Sequence, residues 1–227
     1  MTKILVYDEN DDKMFTLYRD ENSPMPYAYD RTMLVREFRG SSQSPTLYTT
    51  VRAMEAWNAT RRTYGNPIPV GFAFKRIWEG GHGQQSQHYA GVSFDVGQRL
   101  SQTQRNRIYQ VANQLGVWGY VEPLNMTPTW VHFDRRYGRG ACNPSSGFPT
   151  LRMGDTSTYV IILQDALNAL GYSTKYLDGI FGMQTRNALI NYQRNNNLSA
   201  DGICGCNTWR RIVSMVVGIG RTPTVID

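Results

Sequence analysis

The segment Asp178-Gly-Ile-Phe-Gly-Met-Gln-Thr185 recurs as Asp201-Gly-Ile-Cys-Gly-Cys-Asn-Thr208, and this repeat narrows what the last third of the chain can become. In each copy Asp-Gly supplies a turn, isoleucine an apolar plug, and the second glycine the entry to a helix. The expected helices run from Gln184 to Asn195 and from Thr208 to Val216. An earlier one, from Thr158 to Leu170, puts Leu163, Leu167 and Leu170 on one face and stops at Gly171. Ahead of this all-α unit, Asn143-Pro-Ser-Ser-Gly-Phe-Pro-Thr150 is dense in turn formers and reads as a linker.

Upstream the pattern is mixed. Leu47, Val51 and Met54 mark one helix, and Ile108, Val111, Ala112 and Leu115 another. Strand signals fall at Ile68 to Phe74, Val92 to Val96 and Trp130 to Phe133, an α+β pattern. Lys3 to Tyr7 and Met14 to Tyr18 can pair as a hairpin across the acidic turn Asp8 to Asp12. No function follows for residues 1–33.

The chemistry sits in two short segments, Ser86 to Asp95 and Trp130 to Asp134. They hold two of the three histidines in the chain. His88, Asp95 and His132 make the three-ligand nitrogen and oxygen set of a catalytic zinc, whose fourth position stays open. Gly91 permits a bend that a Cβ would resist. Val92, Phe94 and Val96 alternate with Ser93 and Asp95, so Asp95 faces away from the core. Trp130, His132 and Asp134 share a strand face opposite Val131 and Phe133. Asp134 is therefore either an acceptor that orients an imidazole or the base that takes a proton from water.

Two families are resembled. His88-x-x-Gly91-x-x-x-Asp95 after Ser86, with Trp130-Val-His-Phe-Asp134 and Val35-Arg-Glu-Phe-Arg-Gly-Ser-Ser42, resembles the zinc D-Ala-D-Ala carboxypeptidase family. That family includes phage endolysins and shares a fold with the Hedgehog signalling domain. The resemblance covers residues 34 to 140. Leu151-Arg-Met-Gly-Asp, Leu163-Gln-x-x-Leu167, Leu170-Gly-Tyr172, both Asp-Gly-Ile segments, Tyr192-Gln193 and Thr208-Trp209 resemble the three-helix peptidoglycan-binding domain.

Together the resemblances imply a zinc peptidase domain with a small antiparallel sheet and flanking helices, then an all-α peptidoglycan-binding domain. The implied boundaries are 1–33, 34–142, a linker at 143–150, 151–218 and a tail at 219–227. Zinc would be held by His88, Asp95 and His132. Lys75, at the place of the family's arginine, or Arg76 would hold a substrate carboxylate or oxyanion, and Ser86 would bind substrate or a ligand. The family's base lies three residues before the last histidine, where this chain has Thr129, which cannot serve. Asp134 is the first candidate to replace it, ahead of Glu122 and His82.

The formal net charge of +6 suits an anionic polymer such as cell wall. The positive residues are scattered and no nucleic-acid motif is present, so nucleic acid is not expected. Three cysteines show no disulfide framework, and Cys204 and Cys206 read as ordinary thiols. Neither a signal peptide nor a membrane-spanning segment is recognised. The expectation is a monomeric, zinc-dependent, endolysin-like peptidoglycan peptidase, made in the cytoplasm and acting at the wall after release. The alternative is a catalytically inactive wall-binding protein with a structural zinc.

Overall fold

The computed structural model describes residues 1–219, so the expected tail lies outside the described residues from 220 onward. The chain forms two compact units. The first comprises Met1–Asp11, Phe15–Phe74 and Gly91–Tyr137; the second comprises Asp12–Met14, Lys75–Ala90 and the chain from Gly138 onward. These units depart from the linear order read from the sequence. Residues Lys75 to Ala90, expected within the N-terminal domain, group with the C-terminal helices.

In the first unit, β1 (Thr2–Asp8) lies between β2 (Lys13–Arg19) and, after the short α1 (Val35–Arg39), β3 (Thr46–Thr50). The expected N-terminal hairpin partners are thus neighbours. β1 and β3 run parallel, with Ile4 opposite Leu47. Leu47, read as helical, is a buried strand residue. The helix α2 (Val51–Tyr64) starts only after Thr50, whose extended backbone and side chain cap the Ala53 N–H. A local helical spacing there was overridden by pairing with β1.

A second sheet carries the site. It runs β4 (Val70–Phe72), β5 (Ser93–Val96), β7 (Val131–Asp134) and β6 (Tyr120–Val121), with every pair antiparallel. This is the small antiparallel sheet expected; the three-stranded sheet with its parallel pair was not. Helix α3 (Gln102–Leu115) follows β5, opened by a Ser101–Gln104 capping box. The inward residues of β5 and β7 build the core. Phe94 stacks on Trp57 at 5.3 Å, and Phe133 packs on Trp118 at 4.4 Å between ring centroids.

Gly91 fixes how the chain enters β5. Its φ is +68°, and a Cβ there would lie 1.9 Å from the Tyr48 carbonyl oxygen. The Thr49 hydroxyl donates to the Gly91 carbonyl at 2.7 Å. Only glycine allows this approach to β3.

The second unit is built on α4 (Thr158–Ala169), α5 (Met183–Asn195) and α6 (Cys206–Val216), and every residue of α4 is buried. The two repeats are held alike. The Gln164 side chain donates to Asp178 Oδ1, the Ile180 carbonyl and Thr185 Oγ1, and accepts from the Asp178 and Gly179 N–H groups. Gln193 does the same for the second copy, donating to Asp201 Oδ1, the Ile203 carbonyl and Thr208 Oγ1 and accepting from Gly202. A buried glutamine in each repeat thus satisfies a whole turn, which explains why turn and helix recur together.

Residues 143–150 are not a free linker. Bridges at Gly140–Pro149 and Asn143–Ser146 fold the segment back on itself. Phe148 is fully buried against Tyr159 and Trp209, and the Trp209 indole donates to the Pro149 carbonyl at 2.7 Å. A disulfide joins Cys142 to Cys206 at a Cα separation of 4.7 Å, so Cys206 is not a free thiol; Cys204 is free and buried. Spacing alone could not pair residues 64 positions apart. Among the described residues no helix is long and apolar enough to cross a membrane.

Candidate metal centre

The first unit supplies a strand-borne cluster. Asp95 and His132 are directly paired across β5 and β7, and Ser93 is paired with Asp134. Directly opposed residues share a face, so alternation along the two strands gathers Ser93, Asp95, His132 and Asp134. His132 Nδ1 lies 2.6 Å from Asp95 Oδ1, and its Nε2 lies 3.4 Å from both Asp134 Oδ2 and Ser93 Oγ. Burial works against a charged His132 ring. The hydrogen bonds and negative charges of Asp134 and Asp95 outweigh it and push the pKa up to about 9.

Asp134 has a different environment from that of a base. It is fully buried, and Arg136 grips it at both oxygens, at 2.7 Å to Oδ1 and 2.5 Å to Oδ2. The Arg136 backbone N–H adds a third bond. Burial raises its pKa, but the bonds from Arg136 and His132 overcome this and hold the carboxyl below its usual value. A carboxylate so saturated is a poor proton acceptor and a good orienting group. Glu122 is the other nearby carboxylate. Its backbone N–H donates to the His132 carbonyl at 2.9 Å, which continues the β6–β7 ladder and sets Glu122 opposite His132.

The second unit supplies a loop-borne pair. His88 sits in the 3-10 turn Gln87–Ala90, not on a strand, and is 1% exposed. Ser86 Oγ accepts from the His88 N–H at 3.3 Å, so Ser86 shapes the turn that presents His88. His82 packs its ring 4.2 Å from that of His88. Its backbone N–H and carbonyl both bond the Tyr89 hydroxyl. The sequence signal for this was only a third histidine at six-residue remove, in a glycine-rich loop.

Lys75 and Arg76 belong to this unit as well. Lys75 is paired with Glu79 at 3.7 Å. Arg76 is 3% exposed and makes a two-pronged pair with Asp165, at 2.7 and 2.6 Å. A guanidinium buried this way is committed to structure, which argues against the substrate role expected for Arg76.

The family described as "Putative peptidoglycan binding domain" matches residues 156–212. N-acetylmuramoyl-L-alanine amidase CwlM of Mycobacterium tuberculosis (strain ATCC 25618 / H37Rv) is 53% identical over 53 residues, 23% of this chain and 13% of that protein. The chain therefore matches only a small part of that relative's length. The model-matched stretch spans α4, α5, most of α6 and both glutamine-clamped repeats. The C-terminal helices of this chain are thus similar to peptidoglycan-binding domains.

Proposed function

We propose that this protein is a zinc-dependent cell-wall hydrolase that cleaves a peptide bond of peptidoglycan stem peptides or cross-links. The observation that carries the reading is the in-register pairing of Asp95 with His132, backed by Asp134 and Arg136. The donor chemistry fits zinc: imidazole nitrogens and a carboxylate oxygen. In this reading His88, Asp95 and His132 hold the ion. His82, six residues before His88, is a further imidazole donor in the same segment. Bound zinc would polarise the scissile carbonyl and lower the pKa of water at the site.

The chain's own residues do the rest. Asp134, fixed by Arg136, holds the Nε2 side of His132 and so sets which nitrogen faces the ion. Glu122, opposite His132 just after β6, takes the proton from the attacking water and returns it to the leaving amine. Lys75 lies in the segment that carries His88 and offers a positive charge to a substrate carboxylate. The C-terminal domain keeps the enzyme on its insoluble polymer, raising the local concentration of bonds to cleave. The disulfide suits a protein that works outside the reducing cytoplasm, as action at the wall requires.

A second reading has one observation in its favour: the name of the CwlM relative, an amidase that would cut the amide joining glycan to peptide. Elemental analysis is the first test of the site. Purified protein is expected to carry about one zinc per chain, and His88→Ala, Asp95→Ala and His132→Ala are each expected to lose it. His82→Ala is expected to keep it. Full zinc in all three ligand variants would remove the assignment.

A further inference from the structure

The segment Lys75–Ala90, which bears both His82 and His88, has little regular structure of its own. It holds only two short 3-10 turns, Ile77–Glu79 and Gln87–Ala90. Something else must fix it if two imidazoles are to stay in place. Several bonds tie it to the C-terminal part of the second unit. Asp165, fully buried in the middle of α4, receives both prongs of Arg76 and also the Trp78 indole N–H at 3.1 Å. Further along, the Tyr159 hydroxyl donates to Gln87 Oε1 at 2.7 Å, and Gln87 Nε2 donates to the Gly147 carbonyl at 3.1 Å. Gln85 Oε1 accepts from the Phe148 N–H at 2.9 Å.

These bonds bracket the histidines from both sides. Arg76 and Trp78 anchor the start of the segment, and Gln85 and Gln87 anchor its end, next to His88. Most of the groups are buried, where a polar group without its partner is costly, so each bond fixes a position. Asp165 and Tyr159 lie within the stretch matched by the peptidoglycan-binding family, yet a wall-binding module acting only as a tether has no use for a buried acid aimed at another segment.

We infer that the peptidoglycan-binding domain is also the scaffold of the histidine segment, with Asp165 and Tyr159 as positioning residues for His82 and His88. The inference rests on the metal reading for its consequence, though not for its geometry. It predicts that the C-terminal domain cannot be removed without damaging the metal centre.

The test uses the full-length chain as wild type, Asp165→Asn, Asp165→Glu and Tyr159→Phe. Zinc affinity is measured by competition with a chelator, and amide hydrogen exchange is followed on the metal-free forms. Asp165→Asn is expected to weaken zinc binding about 10–100-fold, the range typical of lost outer partners. It should also raise exchange at the His88 and Tyr89 amides about tenfold or more, while amides of α5 and β5 keep their protection. Tyr159→Phe should show the same pattern at a few-fold, and Asp165→Glu should recover part of the loss.

Unchanged zinc affinity and unchanged exchange in an Asp165→Asn protein that keeps α5 protected would overturn the inference. If Asp165→Asn fails to fold, Tyr159→Phe and Gln87→Ala decide by the same two readouts. A wild-type protein without zinc affinity would instead count against the metal reading, and the exchange data would still decide the scaffold.

Discussion

The residues proposed to hold the metal are supported in two opposite ways. Asp95 and His132 sit on β5 and β7, where a backbone ladder fixes their register and alternation fixes their face. His82 and His88 sit in a segment with little regular structure, held by side-chain bonds to residues 60 to 89 positions away. The first kind of support is local and periodic. The second is long-range and depends on individual polar pairs, so single substitutions reach it more easily.

The same contrast sets what could be read from the sequence. Period-two spacing puts His132 and Asp134 on one strand face and turns Asp95 away from the core, because side chains alternate along a strand. The repeats announced the helical unit for a similar reason, although the glutamine clamps, Gln164 and Gln193, sit in motifs that looked merely conventional. Arg76, by contrast, reads as a free cation near a site. Nothing local tells it from a substrate-binding arginine, since Asp165 is 89 residues away. His82 and the Cys142–Cys206 bond were illegible on the same grounds, and 143–150 looked like a linker because its turn formers build a compact fold-back.

The largest expected effect sharpens the strand half. Glu122→Gln is expected to keep zinc and lose about 10²–10⁴-fold in turnover, the scale of general acid–base catalysis. Asp134→Asn is expected instead to weaken zinc binding about 10–100-fold. Steady-state hydrolysis and chelator competition on both variants separate the roles. If Asp134→Asn keeps its zinc and loses all turnover while Glu122→Gln stays active, the two assignments exchange places.

Next in size is the disulfide, a device found only in the second unit among the described residues. A cross-link spanning 64 positions restricts the unfolded chain by an amount worth about 4 kcal/mol. Reduced protein, or a Cys142→Ser variant, is expected to lose protection in α4 to α6 while β5 and β7 keep theirs. Hydrogen exchange reads this directly, and equal losses in both units would end the contrast between them.

The smallest effect is a pH dependence of the strand half. The folded His132 pKa, about 9, lies above its ordinary value of 6.5. Its stabilising contribution is thus complete below pH 6.5 and is lost as the pH rises through 9. Metal-free protein is expected to lose on the order of 2–3 kcal/mol across that window. Zinc should flatten the slope, because the ion replaces the proton on the ring. Urea melts at a series of pH values with and without zinc check both parts, and metal-free protein growing more stable over the window would contradict the His132 environment.

The central claim, a zinc peptidase acting on wall peptides, is tested most directly by mass spectrometry of purified sacculi after digestion. Zinc-loaded protein is expected to release fragments whose new ends lie within the stem peptide or its cross-link, and chelated protein to release none. Fragments freed at the junction of glycan and peptide would make it an amidase instead. Intact sacculi with fully zinc-loaded protein would leave a wall-binding protein and contradict the enzymatic reading.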